Sequence, residues 1–409
     1  MNYLILSVCF AEIFSVTASM YFPALLPGFQ AEWGLTNTAA GWISGIYFGG
    51  YAASVPILVS LTDRVDTRKV YLISAGLGAI SMLGFGLLAR GTWTAAAFRF
   101  LAGISLAGTY MPGLKALSDR ITGTAQSRAI SFYTASMGIG TALSVFIAGW
   151  LTSEFGWRWA AIFMGLGPAA GVVTFALSVK PQKKLISDQQ MRASFMDCRP
   201  ALRNRSAIGY MLGYAAHCWE LFGFRSWMVA FMFYSLRLTP PINIQMNIQN
   251  LATLILLAGV PASIIGNEGA LYWDRRRFIT VIMLGSGIVG SIIGFCVGLP
   301  FVIVAGLCFV YWIGIMTDSG SLTAGLVSTS KTEETGRTMA MYSFFGLSMG
   351  FIAPLSVGAV LDLVGSGTLG WGLAFLSLGS VAMSGTIGLR IFQAEPEINM
   401  KGNDASDTR

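Results

Sequence analysis

The sequence contains little charge and a single histidine. Of its 409 residues only 11% are charged, whereas soluble domains carry about 25% charged residues. Hydrophobic residues make up 54% of the chain, and one globular core could not hide so much apolar surface from water. This composition excludes an ordinary soluble protein and favours a helical protein embedded in a lipid bilayer.

Motifs for metals, nucleotides and hydrolysis are also missing. The five cysteines are scattered and show neither disulfide nor zinc spacing. No Gly-x-x-x-x-Gly-Lys run is present to bind a nucleotide, and one histidine cannot form the His-Glu-x-x-His pattern of a zinc hydrolase. We therefore expect no metal, no cofactor and no enzymatic activity. A serine paired with His217 is the one enzymatic alternative.

Twelve apolar runs of membrane-spanning length follow one another along the chain. A spanning helix needs about 20 mostly apolar residues. The first run lacks a basic segment before it and exceeds the length of a signal sequence, so it predicts a first span. The predicted spans are 4–27, 39–61, 70–89, 94–117, 129–151, 159–179, 206–235, 248–267, 278–297, 300–327, 338–361 and 370–392.

The basic residues predict the orientation of these spans. If the N-terminus is cytoplasmic, nearly all lysines and arginines outside the spans fall on the inner side, and the outer loops contain only Arg90, Arg158 and Arg237. Cytoplasmic loops carry such an excess of basic residues. We therefore expect a multi-pass plasma-membrane protein with both termini in the cytoplasm. The net charge of +7 is explained in the same way, so we expect no nucleic-acid partner.

The chain divides into two similar halves. Residues 180–205 form the one long polar segment between spans, so we expect a six-helix bundle over 1–179, a cytoplasmic linker, a second six-helix bundle over 206–393 and a cytoplasmic tail over 394–409.

Landmarks recur between these halves at nearly one spacing. Asp63 precedes Asp274 by 211 residues, and Gly140 precedes Gly350 by 210. Internal duplication of a six-helix unit is typical of transporters whose halves rock about a site near the bilayer midplane.

With these features the chain resembles the major facilitator superfamily over nearly its whole length. The resemblance rests on twelve spans in two halves, on the stretch Asp63-Arg64-x-x-x-Arg68-Lys69 after the second span, and on Arg99-Phe100-Leu101-Ala102-Gly103 in the fourth. It implies an all-α membrane protein of two pseudo-symmetric six-helix bundles. The chain departs from the usual family pattern at Val59 and Asp66, where that pattern has glycine.

The resemblance also implies a conformational latch in the loop after the second span. There an acidic residue and several basic residues would hold the cytoplasmic side closed in one state and release it in the other. The alternative is a basic loop that only fixes orientation. The expected latch residues are Asp63, Arg64, Arg68 and Lys69, with Asp274 and Arg275 in the second half.

Ionisable residues inside the predicted spans are the candidates for function. Each costs about 2.5–3.5 kcal/mol on insertion scales, so such residues are retained where they are needed. On the seventh span Glu220 lies about 60° and Arg225 about 80° from His217 around the helix axis, which predicts one shared polar sector. The candidates for substrate binding or proton coupling are Glu12, Arg99, His217, Glu220, Arg225 and Asp318.

Two roles stay open at this point. Glu220 and Arg225 are either functional or a structural ion pair, and Asp318 either carries a proton, binds a cation or caps a helix break beside Gly320. The fifth span has Thr141 after Gly140, where exporters of the family commonly have a Gly-Pro pair. This difference disfavours a proton-antiporting exporter.

The leading hypothesis is a monomeric secondary active transporter that works by alternating access. Two arginines within the spans favour an anionic or zwitterionic small solute, because guanidinium groups pair with carboxylates. Buried titratable groups favour coupling to protons in a symporter, and uptake over export. The alternatives are a transporter-like solute receptor or sensor, and a proton-antiporting exporter of drugs or metabolites.

Overall fold

The computed structural model describes residues 3–121, 124–182, 202–240, 247–330 and 335–392, apart from the side chains of 60, 63, 124, 127 and 335–337. Within these ranges the chain is helical and contains no strand. Most of the predicted linker (183–201) and the whole predicted tail lie outside the described residues.

The first half of the chain, called the N half here, contains eight helices among the described residues. Three short ones cover the first predicted span, and the last two cover the fifth and sixth. They are α1 (Tyr3–Val16), α2 (Tyr21–Ala24), α3 (Leu26–Trp33), α4 (Asn37–Arg64), α5 (Thr67–Leu88), α6 (Thr92–Ser118), α7 (Thr124–Met164) and α8 (Leu166–Ser178).

The second half, called the C half, has one helix for each predicted span within the described residues. A short 3₁₀ segment, Gly294–Gly298, extends the ninth span. The helices are α9 (Arg205–Leu238), α10 (Ile248–Tyr272), α11 (Arg275–Ile293), α12 (Phe301–Thr329), α13 (Thr335–Val364) and α14 (Thr368–Ile391).

Helices occupy all twelve predicted regions, which confirms the all-α membrane fold. Eight segments of the described chain are long and apolar enough to cross a membrane, and one of them, Arg128–Ser178, contains two predicted spans. The fifth and sixth spans therefore have no loop between them. Instead α7 turns at Gly156, which has φ 78°, a conformation that glycine adopts readily because it lacks a Cβ.

The first predicted span, 4–27, is not one continuous helix. Helix α1 ends at Val16 and α2 begins at Tyr21. Side chains take over backbone hydrogen bonds at the break: the Met20 N–H donates to Ser144 Oγ at 2.9 Å, and Thr17 Oγ1 donates to the Phe14 carbonyl at 2.7 Å. A broken helix within a membrane needs such partners, since lipid offers none.

The helices have two common ends, named here for the chain termini. The proximal end contains the start of α1 and the end of α14, and the distal end contains the turn between α3 and α4. The halves pack closely toward the distal end, where α4 crosses α13. A Cβ added at Gly45 would lie 2.3 Å from the Phe351 carbonyl oxygen, and one at Gly358 would lie 2.2 Å from that of Asn37. These glycines therefore permit direct contact between the backbones of the two halves.

The duplication pairs different residues from those that the sequence spacing suggested. Asp66 caps α5 by accepting from the Arg68 N–H at 3.0 Å, and Asp274 caps α11 by accepting from the Arg277 N–H at 2.9 Å. Asp274 therefore corresponds to Asp66, 208 residues earlier. Asp63 lies in the last turn of α4. A capping residue directly precedes the first turn of its helix, so Asp63 comes too early in the chain to cap α5.

Candidate functional site

Arg99 of α6 lies buried within the N half. Its guanidinium carbon is 4.3 Å from the centre of the Tyr47 ring, and Nη1 donates to the Ser19 carbonyl at the break in the first span, at 2.9 Å. Its Nε has no hydrogen-bond partner among the described residues. Part of its hydrogen-bonding capacity is therefore free.

Arg225 of α9 lies where the two halves meet. Its guanidinium carbon is 4.9 Å from the ring centre of Phe222, in the same helix, and 5.6 Å from that of Phe48, in the N half. The rings of Phe48 and Phe222 are themselves 4.1 Å apart. Arg225 thus rests on aromatic rings from both halves.

Tyr47 links the two arginines. Both guanidinium groups act electrostatically on its hydroxyl, and the two positive charges act on each other. No carboxylate forms an ion pair with Arg99 or Arg225 within the described chain. Two such charges attract an anion between the halves. The central site is defined here as Tyr47, Phe48, Arg99, Phe222 and Arg225.

Glu12 of α1 is completely buried in the N half. Its Oε2 accepts a 2.7 Å hydrogen bond from the Tyr133 hydroxyl of α7, whereas Oε1 has no partner among the described residues. The structure therefore does not pair Glu12 with Arg99. A lone carboxyl group in such surroundings is suited to bind and release a proton.

A second buried acidic cluster lies in the C half. His217 Nδ1 is 2.7 Å from Asp318 Oδ1 of α12, at ion-pair distance but without the alignment of a hydrogen bond. Glu220 accepts from Ser286 Oγ of α11 at 3.1 Å. The hydroxyl of Tyr311 lies beside the same carboxyl group.

The predicted polar sector of the seventh span is therefore divided. His217 and Glu220 face helices of their own half, whereas Arg225 faces the N half. Within the described chain Glu220 and Arg225 form no ion pair in this conformation, and Glu220 accepts from Ser286 instead. The spacing of five positions from Glu220 to Arg225 on an ideal helix does not show which neighbouring helix each side chain meets.

Glu12 and Glu220 occupy corresponding places in the two halves. They are 208 residues apart, the spacing that also relates Asp66 to Asp274, and each lies on the first span of its half. Sequence reasoning missed this correspondence because it aligned the halves on Asp63. The capping role of Asp66 was the signal that could have found it.

The predicted latch residues lie at the proximal end. Arg68 donates from Nη2 to the Ala176 carbonyl of α8 at 2.9 Å, and Arg64 and Lys69 are exposed. The side chain of Asp63 lies outside the described residues. In the C half Asp274 caps α11, and Arg275 is half-buried.

Arg276, which sequence reasoning did not single out, matches Arg68. It donates to the Leu389 carbonyl at the end of α14. In the same way Arg68 donates to the Ala176 carbonyl at the end of α8. In this conformation the basic residues of the loop thus connect helices within each half.

Sequence reasoning also missed the carboxylate that joins the halves at the distal end. Asp362 of α13 accepts from the backbone N–H of Asn37 at 2.9 Å, from the Asn37 side chain at 2.9 Å and from the Thr38 N–H at 2.7 Å. It therefore caps the first turn of α4 from the other half. These contacts are called the distal gate here. Asp362 directly follows the predicted span 338–361, so the search for charges inside spans did not include it.

Comparison with known proteins identifies the class of this fold. The model of the Major Facilitator Superfamily matches residues 8–354. The chain therefore belongs to the major facilitator superfamily, as its motifs predicted.

Individual relatives are similar over shorter segments. The probable sphingolipid transporter spinster homolog 1 of Arabidopsis thaliana is 24% identical over 158 residues, which are 39% of this chain and 32% of that protein. The gentisate transporter of Corynebacterium glutamicum is 28% identical over 166 residues, 39% of this chain and 37% of that protein. The matches thus span about a third of each relative's length.

Solved structures share the fold over the whole described chain. A POT family transporter, crystallised in complex with 5-aminolevulinic acid, superposes with a TM-score of 0.75 at 15% identity. The superposition covers 95% of both chains.

Proposed function

We propose that this protein is a secondary active transporter that moves a small carboxylate-bearing solute by alternating access. The observation that carries the proposal is the pair Arg99 and Arg225, one from each half, without a carboxylate partner in the described chain. A solute carboxylate between them would offset one of the two positive charges and contact both halves.

The aromatic rings of the central site support a solute with an apolar body. Phe48 and Phe222 form a surface beside Arg225, and Tyr47 lies under Arg99. Gentisate and 5-aminolevulinic acid, which appear in the names of similar proteins, both carry a carboxylate. This shared chemistry favours a carboxylate-bearing solute, either anionic or zwitterionic.

The packing of the halves supports alternating access. With the distal gate formed and α4 against α13, the distal side is closed. We interpret the distal side as extracellular, in accord with the distribution of basic residues, and this conformation as one that exchanges solute with the cytoplasm.

Proton coupling is proposed from the two buried carboxyl groups. Glu12 and Glu220 are the corresponding acids of the two halves, and each has one oxygen without a partner in the described chain. Loading them with protons would remove buried negative charge before the halves move. Inward proton flow would then drive uptake of the solute.

The test is transport into proteoliposomes. A thermal-shift screen of small carboxylates, each paired with its neutral amide, would select the solute, and its flux would then be measured for wild type, Arg99→Gln and Arg225→Gln. Hydrogen bonds to charged groups contribute about 1.5–3 kcal/mol. We therefore expect apparent affinity to fall about 10- to 150-fold in each variant.

Arg158→Gln is the matched control. Arg158 also lies over an aromatic ring, 4.4 Å from the Trp157 ring centre, and donates to the Gly86 carbonyl, but it lies outside the central site. Unchanged affinity in both central variants would refute the proposed site. Binding of the solute without flux would refute transport and favour the receptor alternative.

A further inference from the structure

A separate cavity of about 330 Å³ opens at the distal end between the two halves. Its N-half wall includes Gln30 and Asn37, and its C-half wall includes Trp227, Tyr234 and Trp371, with Arg237 also lining it. The volume is in the range that binds small molecules. None of these residues belongs to the central site.

Trp371, one of the lining residues, has a buried donor without a partner among the described residues. Trp371 is 3% exposed, and its indole Nε1–H has no hydrogen-bond partner among the described residues. A buried N–H group left unpaired carries a free-energy cost. A ligand that brings an acceptor to the indole would recover this cost.

The remaining lining restricts the chemistry of that ligand. Trp227 and Trp371 pack with ring centres 6.0 Å apart at 73°, and Tyr234 lies 6.1 Å from Trp371, so the walls favour a flat apolar body. Arg237 is exposed and adds a positive charge. The nearby negative charge of Asp362 is already engaged by Asn37 and Thr38.

We propose that this distal cavity is a second binding site, for a flat aromatic carboxylate, and that its occupant holds the distal side closed. The ring would lie against the tryptophans, and the carboxylate would accept from Trp371 Nε1 and face Arg237. Because the cavity wall comes from both halves, opening of the distal end would separate its two sides. A ligand that binds only the closed state must shift the population toward it.

The site is tested with 2-naphthoate as the probe and 2-naphthamide as its neutral counterpart. Calorimetry on the purified Arg99→Gln/Arg225→Gln double variant removes the central site from the measurement. We expect naphthoate to bind this variant at one site, and to bind at least about tenfold more weakly once Arg237→Gln or Trp371→Phe is added. Naphthamide should bind more weakly than naphthoate.

Arg90→Gln, which changes another exposed distal arginine, is the control and should leave binding unchanged. The proposal is overturned if naphthoate does not bind the Arg99→Gln/Arg225→Gln double variant. It is also overturned if naphthoate binds that variant equally well after Arg237→Gln and after Trp371→Phe. If Trp371→Phe disturbs the packing, Arg237→Gln alone decides, since Arg237 is exposed. The outcome is independent of the proposed transport function, because the central arginines are absent.

The effect on conformation is measured with spin labels at Trp93→Cys and Leu369→Cys, both exposed at the distal end, after replacement of the native cysteines. Saturating naphthoate should narrow the distance distribution to its shorter component. A shift to longer distances would show that the occupant opens the distal end and would overturn the second part of the proposal.

Discussion

Glu12 and Glu220 are corresponding residues with different partners. Glu12 receives the Tyr133 hydroxyl, whereas Glu220 receives Ser286 Oγ and lies near Asp318 and His217. The first site has one acid and the second has two acids and a base. The two halves therefore share the carboxyl group but differ in what surrounds it.

Replacing either carboxyl group tests proton coupling. We expect Glu12→Gln and Glu220→Gln to reduce proton-driven uptake to the rate without a gradient, because the amide cannot take up the proton. Exchange of solute across the membrane should persist in both variants. The measurement is flux into proteoliposomes with and without an inward proton gradient.

Glu154→Gln is the control for this prediction, since Glu154 is exposed on α7. It should leave driven uptake intact. Full gradient-driven uptake in both Glu12→Gln and Glu220→Gln would remove these residues from the coupling mechanism.

The sequence singled out these residues as candidates but did not give their partners. Placing a charge inside an apolar run costs free energy of membrane insertion. Glu12, Arg99, Glu220 and Asp318 could therefore be chosen from their positions within the predicted spans. Helical spacing gives the direction of a side chain relative to its own helix. It does not say which helix stands there, so the contacts of Glu220 with Ser286 and of Arg225 with Phe48 required the structure.

At the scale of helices, the start of α4 is stabilised from two sources. Thr36 Oγ1 of the same half accepts from the Ala39 N–H at 3.1 Å, and Asp362 of the other half accepts from Asn37 and Thr38. The first bond stabilises the helix in any conformation. The second joins the two halves, so separation of the halves at the distal end would break it.

This difference predicts the effect of Asp362→Ala. Loss of a capping side chain costs about 0.5–2 kcal/mol, and here the cost falls on the closed state alone. We expect the distance between spin labels at Trp93→Cys and Leu369→Cys to gain a longer component. Double electron–electron resonance measures it.

Thr36→Ala provides the comparison. It should lower the unfolding temperature without changing the distance distribution. A closed-state distribution that is identical in Asp362→Ala and wild type would show that the distal gate does not hold the halves together.

Element boundaries were predicted well where apolar length decides them and poorly where local backbone chemistry does. The seventh to twelfth spans lie close to their predicted ranges. The break after Val16 was missed, because short hydroxyl residues interrupt a helix without interrupting hydrophobicity. The separation predicted between 151 and 159 is present, but as a turn at Gly156 within α7 and not as a loop. Thr17 and Ser19, two hydroxyl residues within the first apolar run, were the available signal.

At the scale of the molecule, closure depends on how near α4 can approach α13. The Cβ of an alanine at Gly45 would meet the Phe351 carbonyl oxygen at 2.3 Å, and this backbone atom cannot move aside as a flexible side chain can. We expect Gly45→Ala to favour the distal-open state. The same pair of spin labels should report longer distances.

Gly285→Ala is the matched control, because a Cβ at Gly285 in α11 meets nothing within 4 Å. It should leave the distances unchanged. Equal distributions in the two variants would mean that the α4–α13 contact does not limit closure.

The overall architecture followed from the sequence because hydrophobic length and charge asymmetry are properties of the whole chain. The distal gate, by contrast, joins Asn37 to Asp362 across more than three hundred residues. No local pattern records such a contact. It depends on two bundles meeting in one of their conformations.

The break in the first span also has a mechanical consequence. Two backbone groups at the break bond to other helices. The Ser19 carbonyl accepts from Arg99 of α6, and the Met20 N–H donates to Ser144 of α7. These hydrogen bonds connect three spans at one depth. One of the donors is Arg99, the arginine proposed to bind the solute. A solute that draws Arg99 toward itself would pull on the main chain of the first span through the Ser19 carbonyl. Binding of the solute and movement of the first span would then both begin at the Arg99 guanidinium.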